Sequence, residues 1–239
     1  MKQAFIFWPK SARTKSEPET LKEAAAVVAP TTEAAREYNL SGKIIDISKW
    51  QGTIDFDKLA PEVSLVIARA SCGSDKDTKI DEYAKAMNEH NIPFGVYCYS
   101  YAGTVTKARD EAKKLVEYAK EYNPRFYVLD AEESKLTEET IRAFAAELRK
   151  NTDKPIGCYV AHNHYKEYNY VTLANLFDFT WIPRYGKNLG TIESATKPAY
   201  FCDLWQYTSA GKIAGISGKV DMNIITGDGH DLKWFILND

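Results

Sequence analysis

Two acidic residues follow a short apolar run in the segment RFYVLDAEE, which spans residues 125–133. The run is typical of a buried strand, and because side chains alternate along a strand, Asp130 and Glu132 share one face with their Cα atoms roughly 6.5 Å apart. Carboxyl groups at this range disfavour each other's ionisation, so one keeps its proton to a higher pH. Acid catalysis at a glycosidic bond needs such a pair. A strand end with two solvated acidic residues is the alternative that this segment leaves open.

The elements that must position this pair follow a regular pattern. Apolar runs at residues 44–48, 65–71, 94–100, 126–130 and 156–160 alternate with helical segments at residues 55–59, 81–89, 105–122, 137–150 and 164–176. Three further apolar runs at residues 179–185, 200–207 and 220–225 follow without a helix between them. Alternating βα units imply parallel strands, and about eight such strands close into a barrel. The predicted fold is therefore α/β, an irregular TIM-like barrel of about five βα units followed by three β-strands.

Polar and aromatic residues recur at the predicted strand ends, where a barrel of parallel strands carries its site. They are Asp46, Tyr97, Tyr99, Asp130, Glu132, Tyr159, Trp181, Arg184, Tyr185, Trp205, Gln206 and Asp221. Four carboxylates would then meet at one mouth ringed by aromatic side chains. Aromatic rings with a polar tip suit sugar faces, which present C–H groups bordered by hydroxyls. The pattern predicts a carbohydrate cleft, although a tyrosine taken singly fits core packing equally well.

The composition excludes several classes of function. A formal net charge of −2 over 239 residues gives no basic surface for nucleic acid. No apolar run approaches the roughly 20 residues that cross a bilayer. The four cysteines are too scattered for a zinc or redox site and are expected to be buried apolar residues: Cys72, Cys98, Cys158 and Cys202.

No metal or cofactor is expected. His162 and His164 lack a third metal ligand at workable spacing. The acidic cluster could hold a divalent cation, and this hypothesis ranks second because no glycine-rich phosphate loop accompanies the cluster.

Residues 1–40 differ in composition from the rest of the chain. A short apolar patch at residues 5–8 ends at Pro9 and Lys10, too early for the apolar core of a signal peptide. We expect an N-terminal extension or linker that is partly helical or disordered, and a catalytic barrel over residues 41–239.

Six segments together resemble glycoside hydrolase family 25, the Chalaropsis-type lysozymes found among bacterial muramidases and phage endolysins. They are IIDISKWQG, VIARASCG, GVYCYS, YVLDAEE, WIPRYG and DLWQYTSAGKIAGISGKVDMN, and the likeness covers about residues 43–226. The resemblance implies a flattened barrel of five βα units and three strands. It also implies hydrolysis, with retention of configuration, of the β-1,4 bond between N-acetylmuramic acid and N-acetylglucosamine in bacterial peptidoglycan.

Carried over by position, the resemblance makes Glu132 the general acid and Asp130 its partner, with Asp46 and Asp221 as two further acids. Either Asp130 or the 2-acetamido group of the substrate then acts as the nucleophile. Glu133 faces away from the site by alternation and is expected to be dispensable for catalysis. The residues expected to contact sugar are Tyr97, Tyr99, Tyr159, Trp181, Arg184, Tyr185, Trp205 and Gln206.

The sequence departs from the family pattern at three places. Cys98 replaces the usual histidine between two aromatic residues and is expected to face away from them. SCG at residues 71–73 replaces the more usual TEG, which is expected to change one rim of the cleft. No wall-binding repeat is recognisable after Asp228.

Three alternatives stay open: a non-catalytic glycan-binding barrel, a phage structural component, and a chitinase-like hydrolase. For the leading hypothesis we expect a monomer that acts on peptidoglycan glycan strands at the bacterial cell wall and binds neither nucleic acid nor membrane. Without a recognisable signal peptide, endolysin-type release from the cytoplasm is the expected route.

Overall fold

The chain closes its strands into a barrel, and the computed structural model describes residues 38–237 of it. The strands are β1 Lys43–Ile47, β2 Val63–Cys72, β3 Asp75–Lys76, β4 Phe94–Tyr99, β5 Tyr127–Ala131, β6 Ile156–Val160, β7 Phe179–Pro183, β8 Leu204–Gly211 and β9 Val220–Ile225. The helices are α1 Phe56–Leu59, α2 Ile80–Glu89, α3 Val105–Ala119, α4 Glu138–Asn151, α5 His164–Glu167 and α6 Leu232–Leu237. The predicted irregular α/β barrel is confirmed.

Eight of the described strands form the closed barrel, in the order β1, β2, β4, β5, β6, β7, β8 and β9, with β9 returning to β1. Neighbouring strands from β1 to β8 are parallel. Strand β9 runs antiparallel to both β8 and β1, which corrects the expectation of parallel strands. Strand β3 lies outside the barrel and forms a short hairpin with the end of β2.

Alternation along the strands divides the apolar residues into two layers. One layer fills the barrel interior and includes Leu65 and Val128. The other packs the outer face of the strands against the helices. Cys98 belongs to the outer layer and is fully buried, so it faces away from Tyr97 and Tyr99 as predicted.

Two glycines leave room for two phenylalanine rings inside the barrel. A Cβ atom at Gly95 would lie 2.1 Å from Phe126 Cε2, and one at Gly157 would lie 2.2 Å from Phe179 Cζ. No side chain fits at such distances in a close-packed interior, so β4 and β6 need glycine at these positions. The two rings meet edge to face with their centroids 5.1 Å apart.

Helix α6 seals the end of the barrel at which the parallel strands begin. Phe235 and Ile236 are fully buried in the interior layer. The Phe235 ring packs edge to face against the rings of Phe126 and Phe179, with centroids 5.5 and 5.0 Å apart. The sequence pattern did not predict this helix.

Two predicted elements differ markedly from the observed ones, and several others differ by one to three residues at an end. The helix predicted at residues 164–176 ends at Glu167 and gives way to two 3₁₀ turns, Tyr170–Thr172 and Ala174–Leu176. Asn169 has a φ angle of 49°, and this left-handed conformation interrupts the helix. Strand β8 begins at Leu204 rather than at residue 200.

The predicted N-terminal extension lies outside the described residues except for its last three. The Tyr38 hydroxyl accepts a hydrogen bond from Arg125 Nη2 at 2.9 Å, and Asn39 Nδ2 donates to Pro61 O at 2.8 Å. The chain therefore contacts the barrel from Tyr38 onward, and the boundary at residue 40 stays a prediction. Within residues 38–237, no helix is long and apolar enough to cross a membrane.

Candidate active site

The four predicted acids reach one mouth of the barrel from three strands. Asp46 lies near the end of β1, and Asp130 lies near the end of β5 with Glu132 just beyond it. Asp221 lies near the start of β9, so the expectation that each site residue follows a strand end is wrong there. Because β9 is antiparallel, its start reaches the same mouth, and Asp221 pairs directly with Asp46 across the β1–β9 ladder.

A pocket of about 250 Å³ lies at this mouth, here called the catalytic pocket. It is lined by all the predicted site residues except Arg184 and Trp205. Ser48, Trp50 and Arg69 complete its lining and were not predicted. The structure thus brings the four carboxyl groups and six of the predicted aromatic or amide side chains into one cavity.

Arg184 and Trp205 lie outside this pocket, and their predicted contact with sugar stays a prediction. Trp205 is buried and donates its indole N–H to the Arg184 carbonyl at 2.8 Å. Its neighbour Gln206 lines the pocket, and because consecutive strand residues face opposite sides, Trp205 faces away. The Arg184 guanidinium donates from Nη1 to Lys197 O at 2.6 Å, which holds it against the loop before β8.

Two buried amide side chains hold Asp46. Gln206 Nε2 and Asn223 Nδ2 donate to Asp46 Oδ2 at 2.9 and 2.8 Å. The Gln206 amide is oriented from behind, because the hydroxyls of Tyr159 and Tyr185 both donate to its Oε1, the first at 3.0 Å. With its oxygen occupied by donors, the amide must present its NH₂ group to Asp46.

Asn223 is oriented in the same way. The Trp181 indole N–H donates to Asn223 Oδ1 at 2.8 Å, which directs the Asn223 NH₂ group toward Asp46. Asn223 was not predicted as a site residue. It follows Asp221 by two positions on β9 and therefore shares its face, which is the sequence signal that identifies it.

The carboxyl groups of Asp46 and Asp221 have different pKa values. Burial raises the pKa of Asp46 to about 6, against the hydrogen bonds from Asn223 and Gln206, which lower it. Burial, followed by the charges of Asp46 and Glu132, raises the pKa of Asp221 to about 8. Asp221 therefore keeps its proton to a higher pH than Asp46 does.

Glu132 and Glu133 both lie beside Tyr99. Burial raises the pKa of Glu132, the Tyr99 hydroxyl opposes this shift, and the Glu133 charge adds to it. Strand β5 ends at Ala131, so alternation no longer governs the direction of Glu133. The Tyr99 hydroxyl donates to Glu133 Oε1 at 2.8 Å. Glu133 does not line the catalytic pocket, although it contacts a tyrosine that does. Its dispensability for catalysis stays a prediction.

Asp130 carries an unsatisfied oxygen. Burial is the main cause that raises its pKa well above the ordinary value, with the charges of Glu132 and Asp46 next, while Arg69 opposes the shift. Asp130 Oδ1 is buried and has no hydrogen-bond partner among residues 38–237. Because a buried polar atom without a partner is costly, ionisation of Asp130 is disfavoured at this oxygen.

Arg69 is the cation of the site that sequence reasoning missed. It is buried in β2, and its Nε donates to Asp77 Oδ2 at 2.7 Å. It shares its face with Leu65 and Ile67, which point into the barrel. A cation in the middle of an apolar strand requires a carboxylate partner, and that requirement was the available signal.

The described part of the chain contains neither a metal-binding cluster nor a disulfide bond. No group of three or more His, Cys, Asp and Glu side chains there is arranged to hold a metal ion. All four cysteines are free thiols. Cys98, Cys158 and Cys202 are buried as predicted, whereas Cys72 is half-buried.

The sequence matches the family model of the glycosyl hydrolases family 25 over residues 45–216. The solved structure of GHIP, a glycosyl hydrolase 25 of Streptococcus pneumoniae, is 28% identical and has a TM-score of 0.78 over 84% of this chain and 95% of its own. The catalytic domain of the endolysin ply40 from bacteriophage P40 of Listeria monocytogenes is 31% identical, with a TM-score of 0.73 over 82% of this chain and 96% of its own.

A lysozyme from Streptomyces coelicolor, 20% identical, shares the fold with a TM-score of 0.65 over 82% of this chain and 97% of its own. No curated protein sequence matches significantly. The family match spans most of the barrel, and the ply40 relative is similar along nearly its whole length. The chain therefore belongs to the glycosyl hydrolases family 25 and is a glycoside hydrolase.

Proposed function

We propose that this protein is a lysozyme-type N-acetylmuramidase that cleaves the β-1,4 bond between N-acetylmuramic acid and N-acetylglucosamine in bacterial peptidoglycan, with retention of configuration. Membership of family 25 and the similarity to a phage endolysin support this proposal. The observation that carries the residue roles is that Asp130 and Glu132 line one pocket, with the pKa of Glu132 raised. A proton donor and a second carboxyl group at one strand end suit a sugar that bears an amide N–H.

In the first step, protonated Glu132 gives its proton to the glycosidic oxygen as the bond to the anomeric carbon breaks. The acetamido carbonyl oxygen of the muramic acid attacks that carbon and closes a five-membered oxazolinium ring. Its N–H faces the Asp130 carboxylate, which accepts the hydrogen bond. Ionised Asp130 then stabilises the developing positive charge, and this pairing offsets the cost of its burial.

In the second step, the Glu132 carboxylate takes a proton from water, and the water oxygen attacks the anomeric carbon from the face that the leaving group vacated. The ring opens, the acetamido group is restored, and the product keeps the β configuration. Glu132 ends the cycle protonated. Asp46 and Asp221 keep further charge near the ring, while Tyr97, Tyr159 and Trp181 form the apolar wall for the sugar.

Digestion of purified Gram-positive cell walls tests this function. The expected products carry new reducing ends at N-acetylmuramic acid and the β anomer immediately after cleavage. New reducing ends at glucosamine, cut peptides, or cleavage of chitin oligomers in preference to peptidoglycan would contradict the proposal. We place the site of action at the bacterial cell wall and propose that the enzyme works as a monomer.

A further inference from the structure

A second cavity lies beside the catalytic pocket and belongs to none of the roles assigned above. It has a volume of about 540 Å³ and is here called the side pocket. The β2–β3 hairpin forms one wall, with Gly73 and Asp75, and the first turns of α3 form another, with Lys107. The hairpin follows Cys72 in the segment SCG, where this sequence departs from the family pattern.

A connecting groove of about 260 Å³ joins the side pocket to the catalytic pocket. Trp50 and Tyr99 line both this groove and the catalytic pocket. Cys72 and Tyr101 line both the groove and the side pocket, and Arg69 lines all three cavities. A molecule held in the catalytic pocket can therefore extend into the side pocket without leaving the protein surface.

Two ammonium groups in the side pocket form no salt bridge with a described residue. Lys49 is exposed, and its Nζ lies over the Trp50 ring at 5.2 Å without forming a salt bridge. Lys107 is exposed on α3 and forms no salt bridge with a described residue, although its charge acts on the buried Glu111. Lys76, in contrast, is paired with Asp81 at 2.6 Å. Two unpaired cations at one cavity favour an occupant with carboxylate groups.

The side pocket also carries acids, which limits the kind of anion that fits. Asp75 is exposed and makes no salt bridge with a described residue, whereas Asp110 accepts a hydrogen bond from the Ser74 hydroxyl. Glu111 is buried and accepts from Ser100 Oγ at 2.5 Å. These carboxylates would repel a polyanion such as a phosphate polymer. The presence of both lysines and acids in the side pocket therefore favours a ligand that carries both positive and negative charges.

We propose that the side pocket binds the stem peptide of peptidoglycan, which is attached through a lactyl ether to the muramic acid in the catalytic pocket. This inference rests on the proposed function. The stem peptide carries free carboxylates for Lys49 and Lys107 and an amine on its diamino residue for Asp75. Its alanine methyl groups meet the exposed face of Tyr101.

Kinetics on two preparations of the same purified glycan strands test the inference, one with its stem peptides and one stripped of them by an amidase, both free of teichoic acid. The wild-type enzyme is expected to show a higher kcat/KM on the peptide-bearing strands, chiefly through a lower KM. In the double variant Lys49→Met with Lys107→Met, this preference is expected to fall by about threefold or more, as befits two exposed ion pairs.

Matched variants separate charge from general perturbation. Lys107→Arg keeps a cation and is expected to retain the preference. Lys113→Met, on the same helix but paired with Glu147 at 3.7 Å, is expected to leave it unchanged. Equal kcat/KM of the wild-type enzyme on both strands, or an undiminished preference in the double variant, would overturn the stem-peptide site alone. A wild-type enzyme that cleaves neither preparation would overturn the proposed function instead.

Discussion

Glu132 and Glu133 are adjacent acids with different surroundings, so the same substitution is expected to act differently on each. Glu132→Gln removes the proton donor and is expected to lower kcat/KM on purified walls by about 10²- to 10⁴-fold. Glu133→Gln keeps an oxygen that accepts from Tyr99 and is expected to stay within about threefold of wild type at acidic pH. Release of reducing ends measures both variants. Wild-type turnover by the Glu132→Gln enzyme would remove Glu132 from its role.

Glu133 is expected to set the pH range rather than the chemistry. Its charge helps to raise the pKa of Glu132, so Glu133→Gln is expected to lower that pKa. In the proposed mechanism cleavage needs protonated Glu132, so activity is expected to be lost as the pH rises through this pKa. The alkaline limb of the kcat/KM profile should move to lower pH in Glu133→Gln. If the limb stays where the wild-type enzyme has it, the Glu133 charge does not act on Glu132.

At the residue scale, sequence reasoning succeeded where strand alternation holds and failed where it was not applied. Asp130 and Cys98 lie where period-two alternation puts them. Trp205 was grouped with Gln206 although adjacent strand residues face opposite sides. Asn223 and Arg69 were missed because each gains its role from a partner on another strand, Asp46 for the first and the carboxyl groups of the pocket for the second.

The glycines of the barrel interior provide a test at the scale of the strand. Gly95→Ala would place a methyl group against the Phe126 ring and is expected to destabilise the fold by about 1–3 kcal/mol or more. Gly218→Ala is the matched control, because no atom lies within 4 Å of its added Cβ. Urea unfolding measures both free energies. Equal stability of the two variants would show that β4 can shift to admit the methyl group.

The βα rhythm made most elements predictable, because an apolar run and an amphipathic stripe are local patterns. β6 and β9 have the predicted bounds. The direction of β9 was not predictable in this way, since a strand of either direction has the same alternation. Helix α6 has only six residues, and its position depends on packing against the Phe126 and Phe179 rings. No local sequence pattern reveals such a long-range contact.

The acid cluster affects the stability of the whole molecule. The unfolded chain loses the Asp221 proton above about pH 4, whereas the folded chain keeps it to about pH 8. The folded state therefore binds more protons in this window, and stability falls as the pH rises across it. The side chain introduced by Asp221→Asn is neutral throughout this window. The Tm of the variant minus the Tm of the wild type is therefore expected to increase as the pH rises.

Thermal unfolding at several pH values across that window measures this gain. It should reach at least about 1 kcal/mol, or roughly 2–4 °C, at the alkaline end. Asp153→Asn, at an exposed loop position, is the control and should follow the wild-type curve. A constant difference between the Asp221→Asn and wild-type Tm values would show that Asp221 does not hold its proton in the fold.

The pairing of β1 with β9 also determines when the acid cluster forms during synthesis and folding. Asp46 lies on the first barrel strand and Asp221 on the last, so the acid cluster stays incomplete until nearly the whole barrel has been synthesised. Closure of the barrel and completion of the cluster are then the same event, and it depends on contacts far apart in the chain, which form late. A glycoside hydrolase built in this way has an incomplete acid cluster as a nascent chain and completes the cluster only when its last strand docks.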